Sequence, residues 1–272
     1  MSIVNRPELA GRVALVTGVT RRAGIGAAIA RELGRAGARL FLTFFRRYDQ
    51  QQAWGVAPNE PESLVGELGA TADDVEGLEL DLSQPNAPGE LFRRARERFG
   101  HIDILVNNAA HWEAAGIDAV HADQLDRHYA VNVRAPVLLC AEFARQATSH
   151  RFGRIIQLTS GQGHGPMPGQ IAYVVTKAAL DALTLTLSAE LAGSGITVNA
   201  IDPGPTDTGW MSDAQRSAIL RGSPPGLISS PDEIARLVRR LAGDDGASVT
   251  GRVIRAQAGE LAARDAQGIR ES

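Results

Sequence analysis

Only one cysteine, Cys140, occurs in the 272 residues, so no disulfide can form within the chain. It lies in the apolar run Pro136-Val-Leu-Leu-Cys140-Ala, which reads as a buried structural thiol and fits a reducing cytoplasm. There is no apolar stretch of 18 residues and no charged-then-apolar leader, so neither a membrane span nor a signal peptide is expected. A net charge of −3 gives no electrostatic case for nucleic acid or an anionic membrane as partner. Internal repeats, Pro/Ser-rich linkers and shifts of composition are missing too. With 44% apolar and 22% charged residues, one domain over 1–272 is the expectation. His111, His121, His128 and His164 lack the tight spacing of metal ligands, so no metal site is expected.

What is present is a pattern of alternating strands and helices. Arg12 to Thr17 reads as a short buried strand between Gly11 and Gly18, and Ile25, Ile29 and Leu33 then mark one helix face. Strands are expected at 38–43, 75–80, 102–106, 155–158 and 196–201, with Val253-Ile254 closing the series. Helices between them are punctuated by Gly100 and Gly193. Such alternation predicts an α/β protein: a Rossmann-type, doubly wound parallel sheet of about seven strands in a three-layer α/β/α arrangement. The polar stretch from Arg46 to Asn59 is expected to be a surface loop.

Two local motifs carry chemistry. Tyr173 and Lys177 are four residues apart at the start of a helical stretch, so phenol and ammonium share a face. A cation there is expected to lower the tyrosine pKa toward working pH and make Tyr173 an acid/base group. Ser160, thirteen residues upstream at a strand end, can hydrogen-bond the same reacting oxygen. The second motif is Thr17-Gly18-Val-Thr-Arg21-Arg22-Ala-Gly24-Ile25-Gly26 between strand and helix. A glycine turn in that context presents backbone N–H groups to a dinucleotide pyrophosphate.

With these residues the chain resembles the short-chain dehydrogenase/reductase family, in its short single-domain, 3-oxoacyl-reductase-like form, from about residue 9 to about residue 259. Further matches are Asp81-Leu82, Asn107-Asn108-Ala109-Ala110, Asn132, and Asn199 to Thr208 with Pro203, Gly204 and Thr206. The resemblance implies an oxidoreductase that interconverts a ketone or 3-oxoacyl group and an alcohol with NAD(P)H. It implies that Tyr173 exchanges a proton with the substrate oxygen, Ser160 positions that oxygen, Lys177 lowers the Tyr173 pKa and holds the ribose, and Asn132 anchors a relay water. The cofactor would be held by Gly18, Arg21, Arg22, Gly24, Ile25, Gly26, Asp81, Leu82, Asn108, Ala109, Tyr173, Lys177, Pro203, Gly204, Thr206 and Thr208. A homotetramer or homodimer, built through helices near 122–147 and 170–192 and the final strand, is implied as well.

Two features depart from the family pattern. Five residues, rather than three, separate Gly18 from Gly24, and Ala110 replaces a glycine. A longer turn is shared with divergent enoyl reductases, which would need a tyrosine at position 170, but Gln170 stands there. After the second strand come Arg46 and Arg47, with Arg21 and Arg22 nearby, so NADP(H) is favoured over NAD(H) and Arg46 is expected at the 2′-phosphate. The substrate wall is expected to include Trp112, Gln162, His164, Met167 and Trp210, beneath a lid at about 205–230. A non-catalytic dinucleotide sensor or scaffold on the same fold is the alternative reading.

Overall fold

The computed structural model describes residues 7–72, 74–146, 152–163, 165–222 and 228–256. Its frame is a seven-stranded, all-parallel sheet. The strands are β1 (Val13–Val16), β2 (Arg39–Phe44), β3 (Val75–Glu79), β4 (Ile104–Asn107), β5 (Gly153–Leu158), β6 (Ile196–Asp202) and β7 (Arg252–Arg255). Their spatial order is β3-β2-β1-β4-β5-β6-β7. β1, β4, β5 and β6 are buried along their whole length, because helices cover both faces. The edge strands β3 and β7, by contrast, are mostly half-buried or exposed.

On one face lie α1 (Ile25–Arg35), α3 (Glu60–Leu68) and α9 (Pro231–Ala242), the last opened by a Ser230/Glu233 capping box. On the other lie α4 (Ala87–Phe99), α6 (Ala135–Gln146) and the C-terminal end of α7 (Ile171–Glu190). α5 (Ala122–Tyr129) runs into α6 through a π-helical turn, Ala130–Arg134. α8 (Asp213–Gly222) follows β6. α7 is long and apolar enough to cross a membrane by length and composition alone, although Lys177 and Asp181 interrupt its apolar sequence. Here it packs on β6 and α5 and buries Thr176, Lys177 and Thr184, so it is a helix of the fold.

β1 and β4 pair in register from Ala14↔Ile104 to Val16↔Val106, and the sheet order reverses there. Chain leaving β1 turns to one face and chain leaving β4 to the other, which opens a cleft at their C-terminal ends. The 46–59 segment is not the surface loop expected. It begins with a short helix, α2 (Arg46–Gln50), and Tyr48, Asp49 and Trp54 face the cleft. The proposed lid is described up to 222 and from 228, while the 261–272 tail lies outside the described residues.

Candidate active site

The glycine turn builds one wall of the cleft. Gly18 has φ +76°, and a Cβ there would stand 2.8 Å from the Ala109 Cα, so only glycine lets the β1 and β4 turns meet. Asn108 ties those turns together, its amide donating to the carbonyls of Thr17 (2.8 Å) and Gly18 (3.1 Å). Gly24 is the N-cap of α1 with no side-chain cap, and no acidic residue occupies the first turn. The N-terminus of α1 at Gly24, Ile25 and Gly26 therefore faces the cleft with its positive dipole end uncompensated. This arrangement fits an anionic pyrophosphate.

The two extra residues of the turn are braced from outside the cleft. The Arg22 N–H donates to Glu60 (2.7 Å), its carbonyl accepts from Arg31, and its guanidinium pairs with Glu67. Arg22 thus points to α3 and does not line the cleft, contrary to the expectation. Arg46 is corrected in the same way. The β2–β3 register sets Phe44 beside Glu79, so Arg46 pairs with Glu79 and with Glu62 (2.6 Å). Arg47 is the arginine of this pair that lines the cleft, exposed and without an ion pair among the described residues. Arg21 lines it too, but spends its guanidinium on Asp49 (3.1 Å) and the Thr208 carbonyl (2.9 Å).

At the far wall α7 presents Tyr173 and Lys177. The Ser160 side chain stands near the Tyr173 hydroxyl, although Ser160 itself does not line the cleft. Lys177 is 2% exposed, donates from Nζ to the Leu158 carbonyl (2.7 Å), and lies 5.7 Å from the centroid of the Tyr173 ring. Burial, the larger effect, lifts the Tyr173 phenol above its ordinary value, and the neighbouring Ser160 hydroxyl only partly opposes it. The expected lowering by Lys177 is not seen; burial of the phenol sets the direction instead. Burial also lowers the Lys177 pKa to about 8, with Asp181 as the opposing influence. At neutral pH this geometry holds a protonated phenol, the form that gives a proton.

Asn132, the centre of the π-helical turn, is fully buried behind this wall. Its Oδ1 accepts from the His111 N–H (2.7 Å), and its amide donates to the His111 carbonyl (2.9 Å) and to Thr176 Oγ1 (3.1 Å). The side chain is spent on protein groups, so it shapes the π turn and the 111–113 segment. Asn132→Ala is expected to leave the His111 backbone groups unpaired and to cost about 2–4 kcal/mol in urea unfolding. An unchanged midpoint would contradict that assignment.

Of the other expected residues, Gly18, Asp81, Leu82, Ala109, Pro203, Thr208, Trp112 and Trp210 line the cleft. Gly204 and Thr206 do not; the Thr206 hydroxyl turns back to the Pro203 and Gly204 carbonyls (both 3.2 Å). Gln162 is turned away, its amide donating to Asp181 (2.7 Å), and Met167 is outside the lining as well. His164 lies outside the described residues. The sequence reading missed Tyr48, Asp49 and Trp54. Their only local signal was two aromatic residues inside an otherwise polar stretch. Tyr48 Oη accepts from the Trp112 N–H (3.0 Å) and donates to its carbonyl (3.3 Å), and burial holds its phenol well above the ordinary value.

A family model described as enoyl-(acyl carrier protein) reductase matches residues 18–260. The "Uncharacterized oxidoreductase YjdA" of Bacillus subtilis is 40% identical over 250 residues, covering 91% of this chain and 96% of the relative. The "3-oxoacyl-[acyl-carrier-protein] reductase FabG" of Escherichia coli is 32% identical over 252 residues, covering 92% and 97%. A short-chain dehydrogenase from Burkholderia cenocepacia, solved in complex with NADP, superposes with a TM-score of 0.81 at 31% identity, covering 91% of this chain and 97% of that one. The similarity to these proteins runs along nearly the whole chain, and this chain belongs to the short-chain dehydrogenase/reductase family and is an oxidoreductase of that family.

Proposed function

We propose that this chain is an NADP(H)-preferring reductase of a ketone or 3-oxoacyl carbonyl, able also to run in the alcohol-oxidising direction. The observation that carries the reading is the Tyr173–Lys177 pair facing, across one cleft, an uncapped helix N-terminus at Gly24–Gly26. When bound, a nicotinamide dinucleotide supplies the hydride that a carbonyl carbon accepts. Tyr173 delivers its proton to the carbonyl oxygen as negative charge develops there, so that C=O becomes CH–OH. Ser160 hydrogen-bonds that same oxygen and fixes its distance from the phenol. Lys177 keeps a positive charge beside the phenolate left behind. The π turn around Asn132 shapes the wall beside Lys177. The printed activity of the FabG relative supports the substrate class.

The cofactor preference rests on Arg47. Glu67 neutralises Arg22, Glu62 and Glu79 neutralise Arg46, and Asp49 engages Arg21. Arg47, next to Phe44 and Phe45 in the cleft lining, is left as a guanidinium for a 2′-phosphate. The NADP complex of the Burkholderia relative supports this choice. Arg47→Ala is expected to weaken NADPH binding about 10-fold and NADH little, measured by calorimetric titration. Equal losses for both would overturn the preference. Leu125, Tyr129, Val175, Leu185 and Val253 are exposed on α5, α7 and β7, which supports self-association into a homodimer or homotetramer.

The deciding experiment for the activity is the fall of NADPH absorbance on mixing the protein with a panel of carbonyl compounds. Turnover that Tyr173→Phe abolishes is the expected result. Tight dinucleotide binding with no turnover of any carbonyl would favour a sensor.

A further inference from the structure

The chain has 3 Trp, 3 Tyr and 7 Phe, only 5% of its residues. Yet all its tryptophans (Trp54, Trp112 and Trp210) and two of its three tyrosines (Tyr48 and Tyr173) line the one cleft. Core packing does not explain this concentration. The largest fully buried side chains are Leu, Ile and Phe, and no tryptophan is among them.

Each indole N–H is already committed within the protein. Trp54 donates to Asp49 (2.9 Å), Trp112 to Gln170 (3.1 Å) and Trp210 to the Thr206 carbonyl (3.0 Å). The rings are therefore oriented, and what they offer a ligand is apolar π surface rather than a donor. Trp54 carries the Arg21 guanidinium, 5.2 Å from the ring centroid. Trp112 and Trp210 are the indoles left for substrate. Trp112 is tethered to the residue three before Tyr173, and Trp210 follows the Thr208 wall with 40% of its surface exposed. Trp112 is also held from behind. Tyr48 bonds both its backbone groups, and the preceding residue, His111, packs between Tyr48 (5.2 Å) and the buried His128 (4.9 Å). A rigid aromatic anchor costs little entropy to use.

A flexible acyl chain calls for a continuous aliphatic channel, but the aliphatic side chains that line the cleft are scattered: Ile25 at the glycine turn, Leu80 and Leu82 beyond β3, Val131 on the π turn and Leu158 at the end of β5. A substrate borne on an acidic protein calls for free cations at the mouth. Arg127, which lines the cleft, is held by Glu113 through two hydrogen bonds (2.9 and 2.8 Å). Building on the reductase reading above, we infer that the substrate is a free, flat, conjugated or aromatic ring carbonyl compound that lies against the faces of Trp112 and Trp210.

Because every tryptophan of the chain lines this cleft, its intrinsic fluorescence reports on the site. The full-length protein with NADP⁺ would be titrated with 9,10-phenanthrenequinone and with acetoacetyl-coenzyme A, and initial rates with NADPH measured for both. Saturable quenching by the quinone, with a KM at least about 10-fold below that of the thioester, is expected. Trp112→Ala should raise the quinone KM about 10-fold with kcat little changed, while Trp112→Phe restores it and Trp210→Ala gives a smaller loss. A lower KM for the thioester, or a quinone KM indifferent to both Trp112 variants, would overturn the inference and leave the reductase reading standing. Quenching by the quinone without turnover of either compound would support the ring site and sink the reductase reading. Neither quenching nor turnover would sink both.

Discussion

Tyr173→Phe is expected to fold like the parent, bind dinucleotide with unchanged affinity and lose turnover by about 10²–10⁴-fold, the range of a positioned general acid. The variant removes one oxygen from a half-buried ring and leaves the Ser160 hydroxyl in place. Burial keeps the phenol protonated through neutral pH, so the parent arrives at the reaction with its proton loaded. Reduction should therefore run well at and below neutral pH. In the oxidising direction the phenol must first lose its proton, so that rate should climb as pH rises. The checks are steady-state rates in both directions and a dinucleotide titration. A variant that keeps more than a tenth of parent kcat would remove Tyr173 from the chemistry. Lost dinucleotide affinity would instead make it a binding group.

Lys177→Met is expected to abolish turnover and yet stabilise the protein without cofactor. The ammonium is 2% exposed, and burial depresses its pKa from 10.5 to about 8. A depression of that size corresponds to about 3 kcal/mol of destabilisation at neutral pH. Losing the donor to the Leu158 carbonyl returns about 1–2 kcal/mol of that, leaving a net gain of about 1–2 kcal/mol and a few degrees in Tm. Below about pH 8 the lysine is protonated in both folded and unfolded chains, and the whole penalty applies. Between about 8 and 10.5 the unfolded chain binds more protons, so parent stability climbs with pH. The lead of the variant should accordingly be full at pH 7 and shrink toward pH 10. Thermal melts at both values test this, and a variant less stable than the parent at pH 7 would contradict it. The same titration predicts that kcat/KM for reduction by the parent falls above about pH 8, as the charge beside Tyr173 is lost.

An ammonium kept in place at a cost to stability is a common mark of a site arranged for chemistry. The cleft shows the same economy elsewhere. Glu113, held down to about 2 chiefly by Arg127 and then by His111, keeps the mouth electrically quiet. Burial lowers the His128 pKa, and its Nε2 accepts from the Glu113 N–H (3.1 Å) while Nδ1 faces the Gln124 carbonyl (2.8 Å). The neutral ring thus acts as a spacer behind His111. The Cys140 thiol is pushed up to about 12 by burial, which leaves it inert.

The sequence alone determined the strand and helix series, the glycine turn and the spacing of Ser160, Tyr173 and Lys177, because all three are local. An interior parallel strand is rich in apolar residues on both faces, a turn with positive φ at Gly18 needs glycine, and residues four apart share a helix face. Tertiary structure decided everything that depended on which distant groups came alongside. Arg46 and Arg47 are neighbours of one type, and only the β2–β3 register, which brings Glu79 beside Arg46, assigns one to a surface ion pair and the other to the cleft. The pKa of Tyr173 followed the same rule. Spacing showed a cation nearby, but burial of the phenol set the direction of the shift. The polar 46–59 segment became part of the site because Asp49 meets Arg21 and Tyr48 meets Trp112 across 28 and 64 residues of chain. Charge and hydrogen-bond partners that far apart leave no trace in a local pattern.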